Sequence, residues 1–136
     1  MSNPVSPADI WAGKLLLKAA EDESVLQIPE VPDGPFGFHA QQAVEKLFKA
    51  LLLKLGFPLE RTHDLEKLSS QLTSVGERLP ATPLQITDLN RFAVIYRYEN
   101  IPSLEIPDRP ASIETVRILR EHILSRIAAL TIPPDA

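Results

Sequence analysis

Between positions 38 and 56 the chain reads FHAQQAVEKLFKALLLKLG, with apolar residues recurring at three- and four-residue intervals. At about 100° per residue, Ala40, Ala43, Val44, Leu47, Phe48, Ala50, Leu51 and Leu55 share one broad face. The pattern predicts a helix whose apolar face is core, each large side chain contributing roughly 1.5 to 3 kcal/mol on burial. Gln41, Gln42, Glu45, Lys46 and Lys49 hold the opposite arc. They predict a solvated face on which Glu45 and Lys49 form a weak i, i+4 ion pair. Leu52 and Leu53 add apolar surface outside the main stripe, which predicts cover on more than one side by neighbouring elements or a second subunit. His39, Gln42 and Lys46, at i, i+3 and i+7, lie along one rim.

The 13 prolines fall between segments of helical period, as expected for a residue that opens helices and breaks their interiors. Ser6, Pro7 and Asp9 supply an N-cap, a first position and an acidic first turn, predicting a helix from Pro7 to about Glu23. IPEVPDGPFG, residues 28–37, reads as a loop. The amphipathic helix then begins near Pro35 to Phe38 and stops at Gly56, a left-handed cap followed by Pro58. A third helix starts at His63 or Asp64 and fades by about Leu79, because LPATP cannot continue it. Thr82, Pro83 and Gln85 form a capping-box start for a fourth, which runs to about Tyr98. The last spans Pro110 to about Leu130, between ENIPSLEIPDRP and the pair Pro133 and Pro134. No segment alternates with period two. The expected fold is all-α: one domain over residues 1–136, an up-and-down bundle of four long helices with a shorter fifth helix.

Composition narrows the function classes. At 136 residues, 44% hydrophobic and 24% charged, the chain has enough material for a single core. The absence of cysteine excludes disulfides and thiolate chemistry, and agrees with a reducing compartment. The formal charge of -4 argues against a basic footprint over the whole surface, though not against a local patch. Unbroken apolar runs such as ALLL, residues 50–53, fall far short of the ~20 residues of a membrane span. MSNPVSPADIW has neither the basic start nor the apolar stretch of a secretory signal. The expectation is a cytoplasmic protein with no membrane contact.

Catalytic constellations are scarce. The three histidines are widely separated, none pairs at i, i+4 and no carboxylate cluster joins them, so no metal site is expected. The five glycines form no phosphate loop with Lys and Ser or Thr, and no cofactor is expected. His39, with Gln42 and Lys46, could hold a phosphate or an adenine edge, or make a polar contact between helices. His63 stands at a helix start, where both a structural role and ligand contact are open. Phe92, Tyr96 and Tyr98 gather near Arg91 and Arg97, a pattern that serves base stacking as well as core packing. On the last helix Arg120 projects into an apolar stripe and requires a bundle carboxylate or a subunit boundary.

Three stretches together resemble the HEPN family, the nucleotide-binding helical domains of higher eukaryotes and prokaryotes. FHAQQAVEKLFKALLLKLG is similar to its second-helix signature, RTHDLEKL (residues 61–68) to the Thr-His-Asp-Leu that follows, and YRY (residues 96–98) to its Arg-Tyr. The last departs from the usual form, since the proline is delayed to Pro102. The resemblance implies a helical bundle, commonly a homodimer, that binds a nucleotide or RNA. It also implies a partner role with a minimal nucleotidyltransferase, or a ribonuclease toxin of a toxin–antitoxin pair. It raises His39, Gln42, Lys46, His63, Arg97 and Tyr98 to ligand-binding candidates.

Ribonuclease members carry an Arg followed by a His after four to six residues. Metal-independent RNA cleavage needs such a base for the 2′-hydroxyl and a cation for the phosphorane. RILREH supplies that spacing in Arg117 and His122, but inside a continuous helix five residues place the two about 140° apart. Arg97 matches by position, with no His in the six residues after it. The chain is therefore expected to be non-catalytic, with Arg97 and His63 as its catalytic candidates if it is an enzyme. The remaining alternative is a structural dimerisation module.

Overall fold

The computed structural model describes residues 5–92 and 107–131. They form five helices: α1 (Pro7–Val25), α2 (Asp33–Lys54), α3 (Leu65–Ser74), α4 (Pro83–Asn90) and α5 (Arg109–Thr131). Among the described residues no strand occurs and no helix is long and apolar enough to cross a membrane. Among the described residues three helices are long and two are short; the predicted fourth long helix runs into residues 93–98, outside the described residues.

The helix starts follow their caps. Ser6 Oγ accepts from the Asp9 N–H at 3.1 Å, with Pro7 in the first turn. At α4 both halves of the capping box are made, Gln85 N to Thr82 Oγ1 at 3.2 Å and Thr82 N to Gln85 Oε1 at 2.8 Å. Thr82→Ala removes the hydroxyl half, and is expected to lower stability by about 1 kcal/mol in urea unfolding. A loss within error would mean that packing alone holds α4. At α5 the Asp108 carboxylate accepts from Ala111 N at 3.1 Å.

The helix stops differ from expectation in one place. Gly56 (φ 96°) follows the end of α2, and the N–H of Phe57 reaches back to Leu52 O at 3.0 Å, as the sequence predicts for a left-handed stop. The same motif ends α3 five residues before Leu79, where the sequence places its end. Gly76 (φ 90°) turns the chain, and Glu77 N bonds Leu72 O at 3.1 Å. The start of α2 also differs, since residues 33–37 are helical rather than loop. Pro35 is tolerated because first-turn N–H groups have no intrahelical partner. α4 ends at Asn90, and residues 93–98, over which the sequence extends that helix, lie outside the described residues.

α2 is the hub, packing against α1, α3, α4 and α5. Phe36, Ala40, Val44, Phe48 and Leu51 are fully buried in one core with Leu65, Leu68, Leu72, Leu119 and Ile123. Leu52 and Leu53 are buried too, covered by elements of the same chain. α1 runs antiparallel to α2, because Asp9 pairs with Lys54 while Asp22 pairs with His39. The Lys54 ammonium holds the Asp9 carboxyl below its usual range, aided by the Ser6 hydroxyl. α5 runs in the same sense as α2: Arg109 binds Asp33 at 2.7 Å and stacks on Phe36 at 4.7 Å, whereas Ile127 packs beside Ala50 and Leu53. Arg120 finds the carboxylate its place on the apolar stripe requires, Glu23 of α1 at 2.9 Å.

Candidate functional site

The polar arc of α2 is not a solvated face. Gln41, Glu45 and Lys49 are 0%, 3% and 8% exposed, which corrects the expectation drawn from spacing. The physical reason is the connection over residues 55–64. It turns at Gly56 and doubles back along α2, so that the His63 carbonyl accepts from Gln41 Nε2 at 2.8 Å. The expected Glu45 and Lys49 pair forms, at 3.1 Å, but inside the protein.

Glu45 organises this cluster. One carboxylate oxygen takes the Lys49 ammonium and the other meets His63 Nδ1 at 2.9 Å, with Gln42 Nε2 at 3.3 Å. Gln42 Nε2 also donates to Gln41 Oε1 at 2.8 Å. Because an ionised carboxylate only accepts, His63 faces it with a proton on Nδ1, and in the neutral ring the lone pair is then on Nε2. The His63 side chain is 58% exposed, so the ring is anchored at one nitrogen and open to solvent at the rest. Its anchoring is completed at the start of α3, where Asp64, not His63, is the N-cap, accepting from Glu66 N at 3.0 Å. Asn90 fastens α4 to the same corner, accepting from Leu65 N at 2.7 Å and donating to Asp64 Oδ1 at 2.9 Å. Arg61, two residues before His63, is exposed and makes no ion pair or hydrogen bond among the described residues.

A second cluster joins α1 to α2. Asp22, 7% exposed, accepts from His39 Nδ1 at 2.7 Å and from the Lys46 ammonium. The three rim residues read from spacing are thus divided: His39 and Lys46 converge on Asp22, and Gln42 turns to Gln41 and Glu45. His39 realises the helix-to-helix polar contact that the sequence leaves open beside ligand binding. Asp22 is the residue that sequence reasoning missed. Its signal was a carboxylate between Ala19 and Leu26 on the inner side of α1, recognisable only once the facing helix is known.

The remaining candidates separate cleanly. Arg97 and Tyr98, with Tyr96, lie outside the described residues, and Phe92 is core at 4% exposure. Arg117 is tied to Glu114 and Glu121 on the outer side of α5, and both carboxylates hold its guanidinium further above its ordinary range. Among the described residues His122 Nε2 is buried with no hydrogen-bond partner, and Arg117 bonds Glu114 and Glu121 rather than His122.

The family model described as the HEPN domain matches residues 36–126, about two-thirds of the chain. The matched span contains Glu45, Lys49 and His63, and leaves out α1 with Asp22. Neither the curated proteins nor the solved structures contain a match to this chain.

Proposed function

This chain belongs to the HEPN domain family, and from that membership we propose that it is a nucleotide- or RNA-binding helical domain working with a minimal nucleotidyltransferase partner. The observation that carries the binding surface is the Glu45 and His63 pair, which holds an exposed imidazole two residues after Arg61, an exposed arginine with no ion pair among the described residues. An arginine with no carboxylate partner among the described residues and a ring presenting Nε2 suit a phosphate oxygen and a ribose hydroxyl. Gln42 and Lys46 spend donors inside the fold, so the surface centres on residues 61–63; Arg97 and Tyr98, outside the described residues, are kept as candidates on the family resemblance.

The partly exposed Ile127 and the exposed Ile10, Leu17 and Leu124 on α1 and α5 support a homodimer, to be read by light scattering. A bundle that adds a fourth long helix to α1, α2 and α5 belongs to the same proposal. Binding is tested by anisotropy with a labelled single-stranded RNA. Arg61→Ala is expected to weaken it about tenfold and to lower the salt slope by about one unit, the signature of one lost phosphate contact. Unchanged affinity and slope in Arg61→Ala and His63→Ala would move the surface elsewhere. Co-purification with a co-expressed minimal nucleotidyltransferase tests the partner arm.

A second reading has one observation in its favour. An imidazole whose Nδ1–H is held by a carboxylate, with Nε2 open, is the arrangement of a general base. RNA cleavage that survives EDTA and disappears in His63→Ala would establish it. Absence of cleavage by the parent protein would leave the binding role alone.

A further inference from the structure

α3 and α4 diverge around a cleft of about 500 Å³ that none of the residues of the Glu45 cluster lines. That volume lies in the range of small-molecule sites. Its walls differ in chemistry. Glu66, Ser69, Ser70 and Thr73, at i, i+3, i+4 and i+7, turn one polar face of α3 toward it. Opposite, Ile86 and Ala81 are buried and form an apolar floor.

Of the three hydroxyls on the polar wall, two spend their protons within α3, and Ser70 alone keeps one to donate among the described residues. Ser69 Oγ donates to Glu66 O at 3.0 Å and Thr73 Oγ1 to Ser70 O at 3.1 Å. Thr87 Oγ1, across the cleft, donates to Glu66 Oε1 at 2.7 Å. A hydroxyl whose proton is committed offers only lone pairs, and a carboxylate offers nothing else. This side therefore asks a ligand for hydrogen-bond donors.

At the far end the demand reverses. The turn at Gly76 sends Glu77 inward, where Arg126 Nε meets both of its oxygens at 3.0 Å. The next residue, Arg78, lines the cleft and is exposed, and it makes no ion pair or hydrogen bond among the described residues. The carboxylate that would neutralise it is consumed by Arg126. Arg78 is an anion receptor without an anion.

We propose that the cleft is a binding site for a phosphorylated ribose, the phosphate on Arg78 and the two vicinal hydroxyls donating to the neighbouring acceptors Glu66 and Ser69. The apolar floor takes the carbon face of the sugar or an attached base. Inorganic phosphate alone leaves the acceptor wall unmatched, and an amine is repelled by Arg78. Free ribose 5-phosphate and a nucleoside 5′-monophosphate share the required chemistry. The proposal uses none of the residues of the Glu45 and His63 surface, so either can fail without the other.

The test is a titration of the full ¹⁵N-labelled chain with ribose 5-phosphate, adenosine 5′-monophosphate, its 2′,3′-dideoxy analogue and inorganic phosphate. Saturable amide shifts at Ser69, Thr73, Arg78 and Thr87 are expected with the first two ligands. The dideoxy analogue is expected to bind about fivefold more weakly. Arg78→Ala, which breaks no ion pair or hydrogen bond among the described residues, should keep its melting temperature and lose about tenfold in affinity. Tighter binding of the nucleotide than of the sugar phosphate assigns the floor to a base, and equal binding assigns the site to the sugar phosphate. No shift at these amides at about ten millimolar ligand, inorganic phosphate binding as tightly as ribose 5-phosphate, or an unaffected Arg78→Ala overturns the proposal.

Discussion

Glu45→Ala is expected to lower the unfolding free energy by about 3–5 kcal/mol, the cost of removing one member of a buried ion pair. The side chains of Glu45 and Lys49 are 4% and 9% exposed, and their 3.1 Å contact is the one ion pair recorded for Lys49 among the described residues. Without Glu45 the Lys49 ammonium loses its counter-charge in a site that water scarcely reaches. His63 Nδ1 and the amides of Gln41 and Gln42 lose an acceptor at the same time. The penalty belongs to the orphaned charge rather than to the pair as such. Glu45→Leu with Lys49→Met, which removes both charges and keeps volume, should therefore recover most of the loss. Urea unfolding of parent, both single variants and the double variant closes the cycle. A Glu45→Ala loss under about 1 kcal/mol would show that Lys49 escapes to solvent, as long lysine side chains can.

The double variant also separates stability from function. If residues 61–63 bind RNA because Glu45 orients His63, the doubly substituted protein should fold well and still bind less tightly than the parent. A single stability measurement could not make that distinction, because Glu45→Ala weakens the fold and the surface together.

This network marks the boundary of what the sequence discloses. The apolar face of α2, the Ser6 cap, the Thr82 capping box and the Gly56 stop depend on residues within a turn of each other, and all four are readable from the chain. The burial of Gln41, Glu45 and Lys49 depends on residues 55–64 returning along α2, and that path is set by tertiary packing. Read locally, a Glu and a Lys four apart are an ordinary surface pair. The resemblance carried by RTHDLEKL brought His63 forward as a ligand candidate, but not its attachment to Glu45. Asp22 was harder still, since nothing within α1 shows that His39 and Lys46 face it. Gly76 was legible in principle, a glycine near the end of a periodic segment, yet LPATP offered a more obvious stop.

Gly37→Ala is expected to destabilise the protein by about 1–3 kcal/mol, although alanine is the better helix former. Gly37 lies in the first turns of α2, and a Cβ added there would sit 2.7 Å from Phe92 Cγ, 2.8 Å from Cδ1 and 3.1 Å from Cβ. Two of these atoms are at the root of the side chain, so no rotation of the ring alone relieves the contact. Phe92 is 4% exposed and has no solvent side to retreat to. The backbone at the end of α4 must then move away from α2. In a Phe92→Ala background only the 3.1 Å contact persists, and Gly37→Ala should be close to neutral or stabilising by up to about 1 kcal/mol, the helical gain of alanine over glycine. Thermal or urea unfolding of the four proteins yields the coupling. A stabilising Gly37→Ala in the parent would mean that α2 and Phe92 are not in contact. A cost that persists unchanged in Phe92→Ala would place the strain elsewhere on α2, and the glycine would answer to some neighbour other than this ring.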